Sequence, residues 1–202
     1  MDPTYQKRFK MDALQRIQRA VSSWEEEQKK RGRRRYWDTA VGIYGPTYVD
    51  LVFRFMRQLP IGKKAKFVDL GSGDGRVVLV ASLFCSATGI EYDQELVEVS
   101  KRLAQEAQVD CTFIQGNMLD MDLSEYDILF INPDQEFSKG LEEKLLSQMK
   151  PHQQLWVHNN IFRPQKLKKG RTIWIDQMPI TQFTIPLEKS LKSSLESTKS
   201  HE

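Results

Sequence analysis

Residues 67–78 read FVDLGSGDGRVV, an apolar run followed by glycines at every second position, with two aspartates held in the same turn. Gly71, Gly73 and Gly75 remove side chains between a strand-like run, KFVDL, and a helix-like run from Arg76, where a backbone approaches a ligand closely. The carboxylates select among ligands. A pyrophosphate is held by backbone N–H groups with no anion nearby, yet Asp69 and Asp74 flank this turn. The dinucleotide pattern G-x-G-x-x-G begun at Gly71 would also need glycine at the position of Arg76. The loop, Ser72 included, is therefore expected to face a ligand that carries positive charge.

S-adenosylmethionine fits that description, with an α-ammonium, a sulfonium and no phosphate. Further residues fall into register with it. Glu91 ends the next strand-like run, where a carboxylate accepts ribose hydroxyls, and Tyr92 is placed to lie against adenine. QGNMLD ends a third such run, so Asn117 is expected at the adenine amine and Met118 on the ring. FINPD ends a fourth, which puts Asn132 and Pro133 where a transferred methyl would emerge. Each piece alone also reads as a helix cap or an ordinary turn. The four together point to one site.

The elements that must position these residues alternate. After KFVDL come a helix from Arg76 to Phe84, a strand ATGIE, a helix DQELVEVSKRLAQEA opened by Asp93, and strands CTFIQG and YDILFIN. A helix SKGLEEKLLSQM, a strand QLWVHN and a hairpin from RTIWID and QFTIPL complete the pattern. Such alternation predicts an α/β fold: a mostly parallel sheet closed by an antiparallel hairpin, with helices on both faces. Ligands bind such sheets at the carboxyl ends of the strands. Upstream, Leu14, Ile17, Val21 and Trp24 share one face of an N-terminal helix, and a second helix is expected from Thr47 to about Leu59.

The chain has 202 residues and a net charge of +3, unevenly spread. Residues 1–66 hold sixteen Lys/Arg against seven Asp/Glu, with the excess concentrated in KKRGRRR, residues 29–35. That block suits nucleic acid, an acidic protein, an anionic surface or a nuclear address, and equally a solvated helix end. Two cysteines make no disulfide framework, and no apolar run approaches the roughly 18 residues of a membrane span. With no secretory signal at the start, an intracellular, cytoplasmic or nuclear monomer is expected, without membrane attachment. His152 and His158 lack ligand spacing for a metal, and neither a G-x-S-x-G elbow nor a phosphate-binding G-x-x-x-x-G-K-[ST] loop occurs.

DLGSGDGR, Asp69 to Arg76, resembles the first motif of class I, seven-strand methyltransferases, and the resemblance spans roughly residues 43 to 186. With GIEYDQELVEVSKR it is similar to a subgroup of protein lysine methyltransferases: the archaeal broad-specificity enzyme and its mitochondrial relatives. IYGP, Ile43 to Pro46, resembles the tyrosine–glycine element of the class I histone lysine methyltransferase. The resemblance implies a Rossmann-like seven-strand methyltransferase sheet in which Asp69 and Gly71 hold the methionine end of S-adenosylmethionine, Glu91 the ribose, and Asn117 with Met118 the adenine. It also implies a protein substrate methylated on lysine. The NPDQEF loop departs from those relatives. Its Asn132-Pro133 is similar to the N-P-P-aromatic motif of base and glutamine methyltransferases, with Asp134 and Gln135 in place of proline and the aromatic, and Phe137 two positions late.

Three readings stay open: lysine methylation, methylation of a base or amide nitrogen with nucleic acid held by the basic block, and a non-catalytic cofactor-binding scaffold. A lysine amine, with a free pKa near 10.4, reacts only when neutral, which a desolvated aromatic channel favours. Tyr44, Asn132 and Phe137 are the substrate-side candidates; Tyr36 and Trp37 read more simply as packing. No general base is evident. The expected organisation is a basic helical extension over residues 1–45, acting as a lid or a partner-binding arm, a methyltransferase domain over 46–187, and a disordered tail over 188–202.

Overall fold

The computed structural model describes residues 3–39, 41–159 and 161–186, so the expected disordered tail lies outside the described residues. Helix α1 (Pro3–Lys30) leads through a short antiparallel pair, β1 (Trp37–Asp38) and β2 (Ile43–Tyr44), to α2 (Val49–Met56). The main run is β3 (Lys66–Leu70), α3 (Arg76–Ala81), β4 (Ser86–Glu91), α4 (Gln94–Ala107), β5 (Thr112–Gln115), β6 (Ile128–Ile131), α5 (Leu141–Gln148) and β7 (Gln154–His158). It closes with a hairpin of β8 (Lys168–Ile175) and β9 (Met178–Thr184). The seven-stranded sheet has the order β5-β4-β3-β6-β7-β9-β8. All pairings from β5 to β7 are parallel and those of the hairpin antiparallel.

Both faces of the sheet are buried, as continuous apolar strands require. In β6, Ile128 and Phe130 join one apolar cluster with α1, α2 and α3, while Leu129 and Ile131 join another with Leu141 and Leu145 of α5. Because β4 and β6 flank β3 on opposite sides, the chain reverses its direction of travel across the sheet at β3, and the glycine loop leaves β3 at that switch.

The amphipathic stripe of α1 is buried as its spacing demands: Leu14, Ile17, Val21 and Trp24 all belong to the first cluster. Its partners differ from the expected ones. The helix lies along α3 and α4 instead of over the cofactor region. Arg16 donates to the Ala107 carbonyl at 2.8 Å and Glu27 pairs with Arg102 at 3.0 Å. A stripe records how much a helix buries, not which neighbour it meets. The C-terminus ends on Gly32 at φ +72°, with Gly32 N–H donating to the Lys29 carbonyl and Arg33 N–H to the Gln28 carbonyl. This paired closure satisfies the last carbonyls of the helix.

Candidate active site

The turn after β3 places Gly71, Gly73 and Gly75 at φ +75°, +55° and +81°, a region that L side chains adopt only with strain. Gly71 N–H and Ser72 N–H both donate to the Ile90 carbonyl, and Gly73 N–H donates to Glu91 Oε2 at 2.8 Å. The loop is thus bound to the end of β4 before any ligand arrives. Glu91 Oε1 also accepts from Asp93 N–H at 2.9 Å, so the carboxylate is held in one orientation. Asp93 itself caps α4, accepting from Leu96 N–H.

A cleft of about 420 Å³ opens here at the carboxyl ends of the strands. Asp69, Gly71, Ser72, Gly73, Asp74, Glu91, Tyr92, Asn117, Met118, Asn132 and Tyr44, each expected from sequence, line it together. Two expected residues do not. Gly75 faces the protein: a Cβ there would lie 2.6 Å from both Phe113 and Ser100, so its glycine serves helix–sheet packing. Phe137 is only 2% exposed and packs in the second apolar cluster, because an aromatic at that point stabilises more by burial than by standing in the cleft. Tyr36 is exposed and Trp37 stacks on Tyr44 with ring centroids 3.9 Å apart.

The two aspartates of the turn have different partners. Asp74 is fully engaged: Arg76 donates to it through Nε at 3.0 Å and Nη2 at 2.6 Å, and the Tyr44 hydroxyl donates at 2.7 Å. Arg76 is buried and reaches Glu25 on α1 at 2.8 Å. Burial pushes the Asp74 pKa up, but the adjacent guanidinium and its hydrogen bonds outweigh it and hold the carboxyl below its ordinary range. Asp69 is the opposite case. It is buried, and burial first, then the charges of Glu91 and Asp74, push its pKa well above the usual carboxylate value. A buried anion without a counter-charge is costly. Both aspartates line the cleft, but Asp74 is already paired with Arg76, a partner not read from the sequence.

Sequence reading missed what holds the roof. Asp134 Oδ2 accepts from Ile43 N–H at 2.7 Å, and Asn132 Nδ2 donates to the Gly45 carbonyl at 3.4 Å, so the segment after β6 grips the β1–β2 connector. The Asn132 amide oxygen accepts from Asn159 at 2.6 Å. Arg76 also passed as a mere departure from a glycine pattern, although an arginine beside an apolar helix start needs a buried partner, and Asp74 was the nearest.

Three features test the cofactor. Among the described residues Asp69 has no cationic partner and the buried Ser72 hydroxyl has no hydrogen-bond partner, and the Met118 thioether methyl stands 3.5 Å from where a Cβ on Gly71 would be, keeping the floor narrow and apolar. A cationic head group, a polar contact and a planar apolar body meet these needs.

A family model described as "ANTKMT methyltransferase domain" matches residues 69–164, just under half of the chain. A crystal structure of an RNA methyltransferase from Salinibacter ruber, bound to S-adenosyl-L-homocysteine, superposes with a TM-score of 0.59 at 28% identity, covering 70% of this chain and 94% of that one. The chain carries a class I S-adenosylmethionine-dependent methyltransferase domain. Magnesium protoporphyrin IX methyltransferase from Synechocystis, bound to S-adenosylmethionine, shares the fold at a TM-score of 0.55 and 14% identity, over 68% of this chain and 78% of its own. In sequence, the 23S rRNA (uracil(747)-C(5))-methyltransferase of Pyrococcus horikoshii is 38% identical over 80 residues, 39% of this chain. Its Pyrococcus abyssi counterpart is 32% identical over 99 residues, 48% of this chain. The methyltransferase chain spans about a fifth of the length of these relatives, 19% and 23%. Among its described residues no helix is long and apolar enough to cross a membrane.

Proposed function

We propose that this methyltransferase transfers a methyl group to the side-chain nitrogen of a protein lysine. The observation that carries the reading is the charge of the cleft. With Asp74 and Arg76 neutralising one another, and with Asp69 and Glu91 set aside for the cofactor, Asp134 and Glu136 remain against Lys139 alone among the described lining residues. Such a lining attracts a cationic substrate and repels a polyphosphate backbone.

Asp69, Glu91, Asn117 and Met118 would hold S-adenosylmethionine, which supplies an activated methyl group. The chain's own task is to position a nitrogen and strip it of water. Tyr44 forms the roof beside the loop, fixed by Asp74 and by Trp37. The roof excludes solvent from the inner cleft, which favours the neutral amine over the ammonium.

The rRNA methyltransferases similar to this chain favour a second reading, an RNA base. Carbon 5 of uracil, however, is a poor nucleophile until a thiolate or equivalent adds to carbon 6, so C5 methylation wants a cysteine in the cleft. Cys85 and Cys111 immediately precede β4 and β5, at the opposite ends of those strands. Burial raises their pKa to about 11 and about 12 respectively, keeping both as thiols. For a planar exocyclic amine, the Asn132 oxygen that would accept its hydrogen already receives Asn159.

The test is methyl transfer from radiolabelled S-adenosylmethionine to a lysine-containing peptide pool and, in parallel, to total RNA, with the modified residue identified by mass spectrometry. Methyl-lysine is expected. Label confined to RNA, or no transfer to either despite cofactor binding, would sink the proposal.

A further inference from the structure

A second cavity, of about 250 Å³, lies between the end of α1 and the connector. Lys29, Arg33, Arg34 and Arg35 line it, and the lining carboxylate, Glu25, is already paired with Arg76. Gln28 lies in its wall, only 5% exposed. The Gln28 Oε1 accepts from Arg33 at 3.2 Å, which fixes the amide's orientation and leaves Nε2 buried as a donor without an acceptor among the described residues. An unpaired buried donor is destabilising, and an anionic oxygen placed there would satisfy it.

The surrounding cations are partly committed. Arg33 forks onto Glu95 through two bonds of 2.9 Å and lies over Trp37, and Arg35 lies over the Tyr48 ring at 4.3 Å. These contacts fix the guanidinium groups in place; Arg35, held over a ring face, keeps its N–H donors. Tyr44 and Pro46 line both this cavity and the catalytic cleft, so the two are separated by one layer of side chains.

We infer that the cavity walled by Gln28, Arg33, Arg34, Arg35 and Trp37 receives an acidic side chain of the polypeptide whose lysine enters the cleft. This rests on the lysine reading for the second half of the statement and on the cavity alone for the first. The basic block thereby acts as a specificity element: acidic residues near the target lysine are selected by it, while the acidic cleft selects the lysine.

The experiment titrates the full chain, with S-adenosyl-L-homocysteine present, with a hexaglutamate peptide, a hexaglutamine control and inorganic phosphate. It follows the Gln28 side-chain amide and the Trp37 indole N–H by NMR. Saturable shifts of both resonances with hexaglutamate and none with hexaglutamine are expected, with affinity lowered at least tenfold by Arg34→Glu combined with Arg35→Glu. Gln28→Leu, which leaves the charges in place, is expected to weaken binding in the same direction. Absence of saturable shifts with hexaglutamate in the unmodified protein would overturn the inference. So would equal shifts with phosphate at the same concentration, which would make the cavity a free-anion site. Hexaglutamate binding without methyl transfer to any lysine peptide would uphold the acidic-peptide cavity and count against the lysine reading. Methylation of lysine peptides with no preference for neighbouring glutamate would do the reverse.

Discussion

The Tyr44 hydroxyl donates to Asp74 Oδ2 at 2.7 Å, and both groups are buried. This bond joins the connector that roofs the cleft to the glycine turn that floors it, across 30 residues of sequence. Burial first, and then the negative Asp74, push the tyrosine pKa above its ordinary value, so the phenol remains a donor throughout the working range of pH.

Tyr44→Phe removes that bond and the one from Arg76 Nη2 at 3.2 Å while keeping the ring stacked on Trp37. Hydrogen bonds to charged groups contribute about 1.5–3 kcal/mol, and a loss of that order is expected from urea unfolding. Methyl transfer is expected to fall more than cofactor affinity, because the roof loses its anchor while the carboxylates that face the cofactor stay. Calorimetric binding beside turnover checks the split, and equal losses in both would contradict it.

Arg76→Met leaves Asp74 buried without its cation. Breaking a buried pair on one side costs about 3–5 kcal/mol, whereas replacing both partners by apolar groups is often near neutral. The single variant is expected to be strongly destabilised, and Arg76→Met with Asp74→Leu to regain more than half of the loss in chemical denaturation. A double variant no better than the single one would show that the pair is not the unit of stability.

Asp69→Asn separates stability from binding. Burial and neighbouring carboxylates raise the Asp69 pKa in the folded state, so its contribution is fully present below the unfolded carboxylate pKa and is lost as pH rises through the folded value. At pH 7 without cofactor, the variant is therefore expected to be more stable than the parent, with the advantage shrinking toward acid. Its affinity for S-adenosylmethionine is expected to drop at least tenfold, since no carboxylate meets the cationic end. Thermal unfolding at several pH values and calorimetry measure the two. A variant less stable at pH 7 would refute the electrostatic account.

His158 titrates in the opposite sense. It is buried, both ring nitrogens have no partner among the described residues, it does not line the cleft, and burial lowers its pKa to about 4. Stability from the neutral ring is present above the unfolded value near 6.5. It is lost as pH falls toward 4, by at most about 1.4 kcal/mol per pH unit. His158→Leu, of similar volume, is expected to flatten the acid limb of the stability profile between those limits. An unchanged limb would mean that another group governs acid unfolding.

Much of this site was readable because class I chemistry places it where strands end. Asp69, Glu91, Asn117 and Asn132 each follow an apolar run, and the topology alone gathers them. Gly75 escaped because the side chain that demands its glycine, Phe113, lies on another strand. The pairing of Asp74 with Arg76 was missed because Arg76 was read only as a departure from a glycine pattern, and only burial makes the two a pair. The position of α1 was hidden for a related reason. Leu14, Ile17, Val21 and Trp24 declare an apolar face, but that face fits the layer formed by α3 and α4 as well as it would fit a lid.

The burial of α1 has a consequence for how the chain is made. Its apolar stripe leaves the ribosome before the layer that covers it, and its hydrogen-bonded partner Ala107 follows Arg16 by 91 residues. At about 5–20 residues per second, that interval lasts from about five to about twenty seconds. Until it ends, the stripe that carries Ile17 and Trp24 lacks the part of its native surface that α4 supplies. Helix α1 is synthesised before both helices it packs against, so its apolar face can complete its native packing only once α4 has been made.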